Sequence, residues 1–235
     1  MTVNKGIKML QEHTHDEISK AIVRSQHAQR NFDLTKRIPK QDFELMKKAV
    51  TECPSKNNLA FYKVHFIEDR GLIEDIHEHT RGFVTKQHES GYETNTQVLG
   101  NLLVLFERHL PNDRLHNDNV RRNEQARYFE ENGKWEDEEL LTKDIHTNLG
   151  IAAGYLNLTA SLLGYRTGCC QCMNADKECM NADKVKEVAL LEDIPLLLMG
   201  IGYHQKGVNR RKHQIRDDFL FYSKKKMPIE TKVWK

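Results

Sequence analysis

Apolar and polar positions follow a few clear periods along this chain, and each period predicts an element. Thr14-His15-Asp16-Glu17 has the form of a capping box, in which threonine and glutamate satisfy free backbone amides, and it predicts a helix running to about Ser25. Pro39 stands at a first helical position, and Phe43, Met46, Ala49 and Val50 follow at helical spacing, so a second amphipathic helix is expected to end before Cys53-Pro54. A strand follows at 62 to 67 and a short helix near 72 to 79. Residues 81 to 101 show no period and read as a loop leading into the apolar strand LLVLF at 102 to 106. The stretch KDIHTNLGIAAGYLNLTASLLGY, 143 to 165, is apolar on every side after its first turn and rich in Gly and Ala. Such a helix must be buried, and its small residues let other backbones approach. A short strand at 166 to 170 and a buried strand, IPLLLMGIGY at 194 to 203, complete the set. Few strands scattered among helices make the class α+β.

Length and charge narrow the picture. A chain of 235 residues suits one large domain, 1–235. Two excursions stand out: a highly charged stretch at about 111–139, read as a helical surface insert, and a tail at about 219–235 carrying aromatics beside lysines. Thirty-six basic against 34 acidic residues leave a net charge of +2, which gives no general attraction for nucleic acid or an anionic membrane. No run of about 18 apolar residues is present to span a bilayer. The opening MTVNKGIKMLQEHTHDE lacks the apolar core of a signal peptide, so a soluble, cytoplasmic protein is expected.

Four of the five cysteines fall between Cys169 and Cys179, unlike the dispersed, even set of a secreted disulfide framework, and reduced thiols are expected. The same region repeats itself, CMNADKE then CMNADKV, and reads as two heptads of a solvent-facing helix. In a helix Cys172 and Cys179 would stand two turns apart, roughly 10 Å along the axis. That separation rules out both a disulfide, which needs Cα atoms within about 7 Å, and shared ligation of one zinc ion. CCxC with a fourth cysteine seven residues on is not a zinc spacing either, and no metal is assigned.

Three separated segments are built to hold a polar ligand. RSQHAQRNF at 24 to 32 offers Arg24, His27 and Arg30 at a helix end; Pro54-Ser55-Lys56-Asn57-Asn58 is a tight polar turn; GVNRRK at 207 to 212 places three cations after a buried strand. No Walker loop or dinucleotide fingerprint is present.

In this order the segments resemble the nitroreductase family of FMN-dependent oxidoreductases. That family opens with a motif like RRSxRxF, then a helix beginning at Ile/Leu-Pro, then APSxxNxQPW, a Gly/Ala-rich helix ending in LGLGT, and an iGyp strand before a basic pair. The counterparts here are SQHAQRNFDLTKRIP, CPSKNNLAFYKVHFI, GIAAGYLNLTASLLGYRTG, and LLLMGIGY followed by NRRK, spanning about 16 to 216. The resemblance implies a nitroreductase-like α+β fold with a central mixed sheet flanked by helices, in an intertwined homodimer with two FMN sites across the interface.

Residue by residue, the resemblance puts Arg30 on the phosphate-contacting basic residue, and Gln26, His27 and Ala28 on the family's Arg, Arg/His and Ser. The arginine is therefore absent at 26. Pro54, Ser55 and Asn58 match PSxxN, the turn that reaches the partner subunit's flavin, while QPW is replaced by Ala60-Phe61-Tyr62. Asn95 and Gln97 fall near the polar residue facing the pyrimidine edge. Gln171 and Cys172 fall on the pair whose backbone amides approach the flavin N5 region. Arg210 and Lys212 take the C-terminal basic pair, with Arg211 a contender for one place. His27 is the one histidine at a motif position, and the other eleven are expected at the surface.

The implied activity is transfer of hydride from NADH or NADPH through FMN to an electron-poor small-molecule acceptor such as a nitroaromatic or quinone. The chemistry then belongs to the cofactor, and no side chain is named as catalytic. Two alternatives stay open: a metal or iron–sulfur protein built on the cysteine cluster, and a degenerate, non-catalytic flavin-fold dimer.

Overall fold

The structure is a computed structural model that describes residues 2–80, 95–109, 138–171, 181–205 and 229–233. Nearly all of the charged insert, most of the tail, Cys172, Cys179 and the 210–212 cations lie outside the described residues.

The apolar run at the middle of the sequence is the middle of the sheet. Strand β2, Leu102–Arg108, lies between β1, Tyr62–Ile67, and β4, Pro195–Gly202, and β3, Arg166–Cys170, forms the other edge, giving the order β1-β2-β4-β3. Every pairing among these strands is antiparallel, so the expected mixed sheet is corrected to an antiparallel one among the described residues. Leu102, Val104 and Phe106 face one layer, and Leu103 and Leu105 face the other, all fully buried. A strand covered on both faces reads as a continuous apolar run rather than an alternating one.

The first layer holds α2, Lys40–Thr51, and the central helix α4, Glu138–Leu162. Met46 and Val50 of α2 and Leu149, Ala152, Leu156 and Ala160 of α4 are almost completely buried there. Each large apolar side chain so covered contributes about 1.5–3 kcal/mol. Helix α4 stops at Gly164, whose φ of +92° lets Tyr165 N reach back to Ala160 O at 2.9 Å. Tyr165 is buried, and its hydroxyl donates to Asp42 of α2 at 2.5 Å, joining helix to strand.

On the other face lie α3, Arg70–Glu78, and α5, Ala182–Val188. Asp69 caps α3 by accepting from Leu72 N at 2.7 Å. Ile73, Ile76 and His77 are buried along this helix, so His77 departs from the expected surface placement. His109 is buried too, and His65 shares a 2.7 Å hydrogen bond with the buried Glu107.

Two helix boundaries differ from expectation. The first helix, α1, runs Thr2–Ser25, so Thr14 lies inside it and the capping-box pattern marks no start. One cap is worth about 1 kcal/mol, too little to end a helix that its neighbours continue. The repeat is not one helix either: Asn181, in the second copy, has ψ of 89° and caps α5 by accepting from Lys184 N, so α5 begins only after it.

Candidate functional site

After α1 the chain leaves helical geometry and is laid along the sheet as an extended segment. Gln29 N donates to Thr167 O of β3 at 2.7 Å, and further on Asp33 N donates to Tyr203 O at 2.8 Å and Gln205 N to Asn31 O at 3.2 Å. Phe32, buried, forms an isolated bridge with His204. Asn101 locks the arrangement from a third segment. Its Nδ2 donates to Asp33 O and Lys36 O, both at 2.8 Å, and its Oδ1 accepts from Tyr203 N at 3.1 Å.

Three glycines make room for this close approach. A Cβ at Gly200 would lie 2.0 Å from Gln97 O, one at Gly168 would lie 2.5 Å from Gln97 Cβ and 2.6 Å from Gln29 O, and one at Gly202 would strike Asn101 Oδ1 at 1.9 Å. Gly168, Gly200 and Gly202 thus form a floor, a patch of bare backbone on the β3–β4 ribbon, on which residues 95–101 and 26–33 rest directly.

On that floor Arg30 Nη1 donates to Gln97 Oε1. Gln97 is buried, and its Nε2 donates to Asn95 Oδ1 at 3.3 Å, while Asn95, with φ of +51°, donates to Thr80 O. The chain of bonds fixes the orientation of the Gln97 amide, because a flip would set like against like at both ends. Arg70 braces the segment from α3, donating to Gly100 O at 3.1 Å.

The structure therefore brings together Arg30, Asn95 and Gln97. Gln26, His27 and Ala28 are exposed on the stretch between α1 and Gln29, and Gln171 is exposed immediately after β3. Pro54, Ser55 and Asn58 lie elsewhere. Lys56–Asn58 forms a 3-10 turn, with Asn58 at φ of +60°, and Lys56 N donates to Asn148 Oδ1 of α4 at 2.8 Å while Lys56 Nζ pairs with Asp144. The Arg30 segment meets α4 farther along, near its C-terminal end, through Asn157 Nδ2 on Ser25 O at 3.4 Å and Arg24 Nη1 on Ser161 O. From Asn148 to Ser161 the helix rises about 20 Å.

Pattern reading missed Asn101 and the three glycines, since their partners are distant in sequence. It also missed Arg166, whose Nη1 donates to Arg24 O at 3.4 Å. The cysteines divide along β3: strand alternation turns Cys169 outward, whereas Cys170 packs in the core with Ile73 and Val185.

Residues 23–203 match the sequence model of the Nitroreductase family. The chain belongs to the nitroreductase family. Solved structures share the nitroreductase fold at low identity. A protein assigned as a nitroreductase from Exiguobacterium sibiricum, solved in complex with FMN, is 19% identical with a TM-score of 0.58, covering 83% of this chain and 90% of that one. A protein assigned as an NAD(P)H:FMN oxidoreductase from Staphylococcus epidermidis is 15% identical, TM-score 0.58, with coverage of 85% and 91%. A nitroreductase-like protein from Streptococcus mutans is 14% identical, TM-score 0.60, with coverage of 94% and 100%. No curated protein matches the sequence at a significant level. Among the described residues of this nitroreductase-family chain, no helix is long and apolar enough to cross a membrane.

Proposed function

We infer that the protein is an FMN-dependent oxidoreductase, a cytoplasmic homodimer of one domain per chain, that takes hydride from NADH or NADPH and passes it to an electron-poor acceptor such as a nitroaromatic or a quinone. The observation that carries this reading is the Arg30–Gln97 pair seated on the glycine floor of β3 and β4. A flavin mononucleotide needs cations for its phosphate and an amide that can donate and accept at its uracil-like edge. The donor set fits that group. When bound, FMN would supply the hydride chemistry.

The chain's own residues do the rest. Arg30 donates to the Gln97 amide, which holds its guanidinium at the site as a cation for a ligand anion. Asn95 and Gln97 present fixed amides, and Asn101 holds the extended segment on the sheet. No side-chain nucleophile or general base is assigned.

The distance along α4 supports the dimer. The PSxxN turn is tied near the middle of that helix and the Arg30 segment near its C-terminal end, up to about 20 Å apart, which favours their serving different ligands within one chain. A second copy packed along α4 can bring them to one ligand. Tyr155, Leu158 and Leu162 of α4 and Ile18 and Ile22 of α1 are 36–49% exposed, and a Cβ at Gly150 or Gly154 would meet nothing within 4 Å. An apolar stripe of this kind left open to water marks an interface.

Flavin content of the purified full chain, followed by anaerobic stopped-flow bleaching with NADH and with NADPH, tests the reading. About one FMN per chain and bleaching by at least one nicotinamide are expected. Far less flavin, not recovered on adding FMN, would sink it in favour of a non-catalytic dimer. A broad sulfur-to-iron absorption band with stoichiometric iron would sink it in favour of the cysteine cluster.

A further inference from the structure

Where the family pattern reads LGLGT, this chain reads LGYRT, and Arg166 stands at the second glycine. Strand alternation puts Arg166 on the same face of β3 as Gly168, the face over which Gln29 and Gln97 lie. Arg166 Nη1 donates to Arg24 O at 3.4 Å, and Arg24 Nη1 in turn donates to Ser161 O. Two guanidinium groups are thus gathered at the C-terminal ends of α1 and α4. Among the described residues neither has an ion pair with a carboxylate; their acceptors are backbone carbonyls.

The charge balance is incomplete. Each helix C-terminus contributes on the order of half a negative charge, so two ends offset about half of the two positive charges. Glu17 acts on Arg24 electrostatically but makes no ion pair with it, so among the described residues a surplus of positive charge is left at a half-buried position. Burial first, and the Arg24 charge second, hold the Arg166 guanidinium below its usual range, in keeping with the closeness of the two side chains. A few residues away, position 26, where the family pattern has its arginine, is an exposed glutamine.

We propose that Arg166 and Arg24 together form the phosphate-binding cation pair of this chain, taking over from the arginine that position 26 lacks. The ligand class is a phosphate monoester, here the terminal phosphate of FMN, so the assignment rests on the cofactor reading given above. Paired guanidinium forks match the oxygen geometry of a phosphate better than single ammonium groups do. The strand that follows the central helix then contributes a side chain to the cofactor, where the pattern has a glycine.

Affinities of the full chain for FMN and for riboflavin, which has the same ring without the phosphate, separate the roles. Arg166→Gln keeps a donor for the Arg24 carbonyl and removes the charge. It should lower FMN affinity roughly 10- to 100-fold, the range for one charge-assisted hydrogen bond, and leave riboflavin affinity unchanged. Arg166→Lys should recover part of the preference for FMN. Equal loss of both flavins in Arg166→Gln, or a preference as strong as that of the unmodified chain, would overturn the assignment while leaving the cofactor reading intact. An unmodified chain that binds neither flavin would overturn both. Should Arg166→Gln not fold, Arg24→Gln carries the same comparison and the same outcomes.

Discussion

Replacing Gly200 by alanine puts a methyl group where the chain already is. Its carbon would lie 2.0 Å from Gln97 O, 3.1 Å from Gln97 C and 3.3 Å from Gly100 N. All three are backbone atoms, so no rotamer change relieves the clash. Carbon–oxygen contacts between adjacent strands settle at about 3.3 Å, so the 95–101 segment has to retreat by about 1.3 Å. Overpacking of this kind costs about 1–3 kcal/mol, and at roughly 2–4 °C per kcal/mol for a chain of this size the melting temperature should fall by about 2–12 °C. The same displacement takes the Gln97 amide away from Arg30, and losing a charge-assisted hydrogen bond in this way should weaken FMN binding by roughly 10-fold or more. Thermal unfolding of the apoprotein by circular dichroism, beside a flavin-fluorescence titration, reads both effects. A variant that melts within 1 °C of the unmodified protein and binds FMN equally well would refute the idea that this segment rests on the glycine floor.

Arg30→Ala should lower FMN affinity roughly 10- to 100-fold in a fluorescence titration, and an unchanged affinity would remove Arg30 from the site. Burial first, and then its hydrogen bond to Asp42, hold the Tyr165 hydroxyl well above its usual range. The folded chain therefore keeps a proton that the unfolded chain loses near pH 10, so this contribution is complete below that pH and is lost as pH rises above it. Tyr165→Phe should cost about 1–2 kcal/mol at neutral pH and flatten the alkaline fall in urea midpoint; equal slopes for both proteins would contradict this. Leu190 is 88% exposed and held at φ of +52° at the end of α5. Leu190→Gly should stabilise by about 1 kcal/mol, the cost of a left-handed side-chain-bearing residue, and a lower urea midpoint would show that Leu190 is held by more than its backbone.

Elements that depend on nearby residues were legible in the sequence. The LLVLF run is β2 because both of its faces are covered, and β3 occupies the expected 166 to 170 because Gly164 ends α4 just before it. Where several local signals compete, pattern reading fails. Thr14 has the chemistry of a cap but is flanked by helix on both sides, and the Asn181 cap breaks a repeat that looks helical throughout. At the site, Arg30 and Gln97 were named through motif order, yet their mutual bond was not foreseeable, nor was the part played by Asn101. Asn101 ties positions 33, 36 and 203, and no period along the chain encodes a contact over such separations. Buried His77 was missed because histidine was read by type; its place on the inward face of α3 beside Ile73 and Ile76 was the usable signal.

The attachment of the PSxxN turn and the Arg30 segment to well-separated points along α4 has a genetic corollary. When each ligand site draws one half from either copy, damage to Arg30 in one allele and to Asn58 in another falls on the same site of a mixed dimer. The remaining site then carries neither lesion. Two inactive variants expressed together and assorting at random should restore about a quarter of the flavin occupancy, because about half the dimers are mixed and each of those has one intact site, whereas either variant alone, present in both copies, damages both sites.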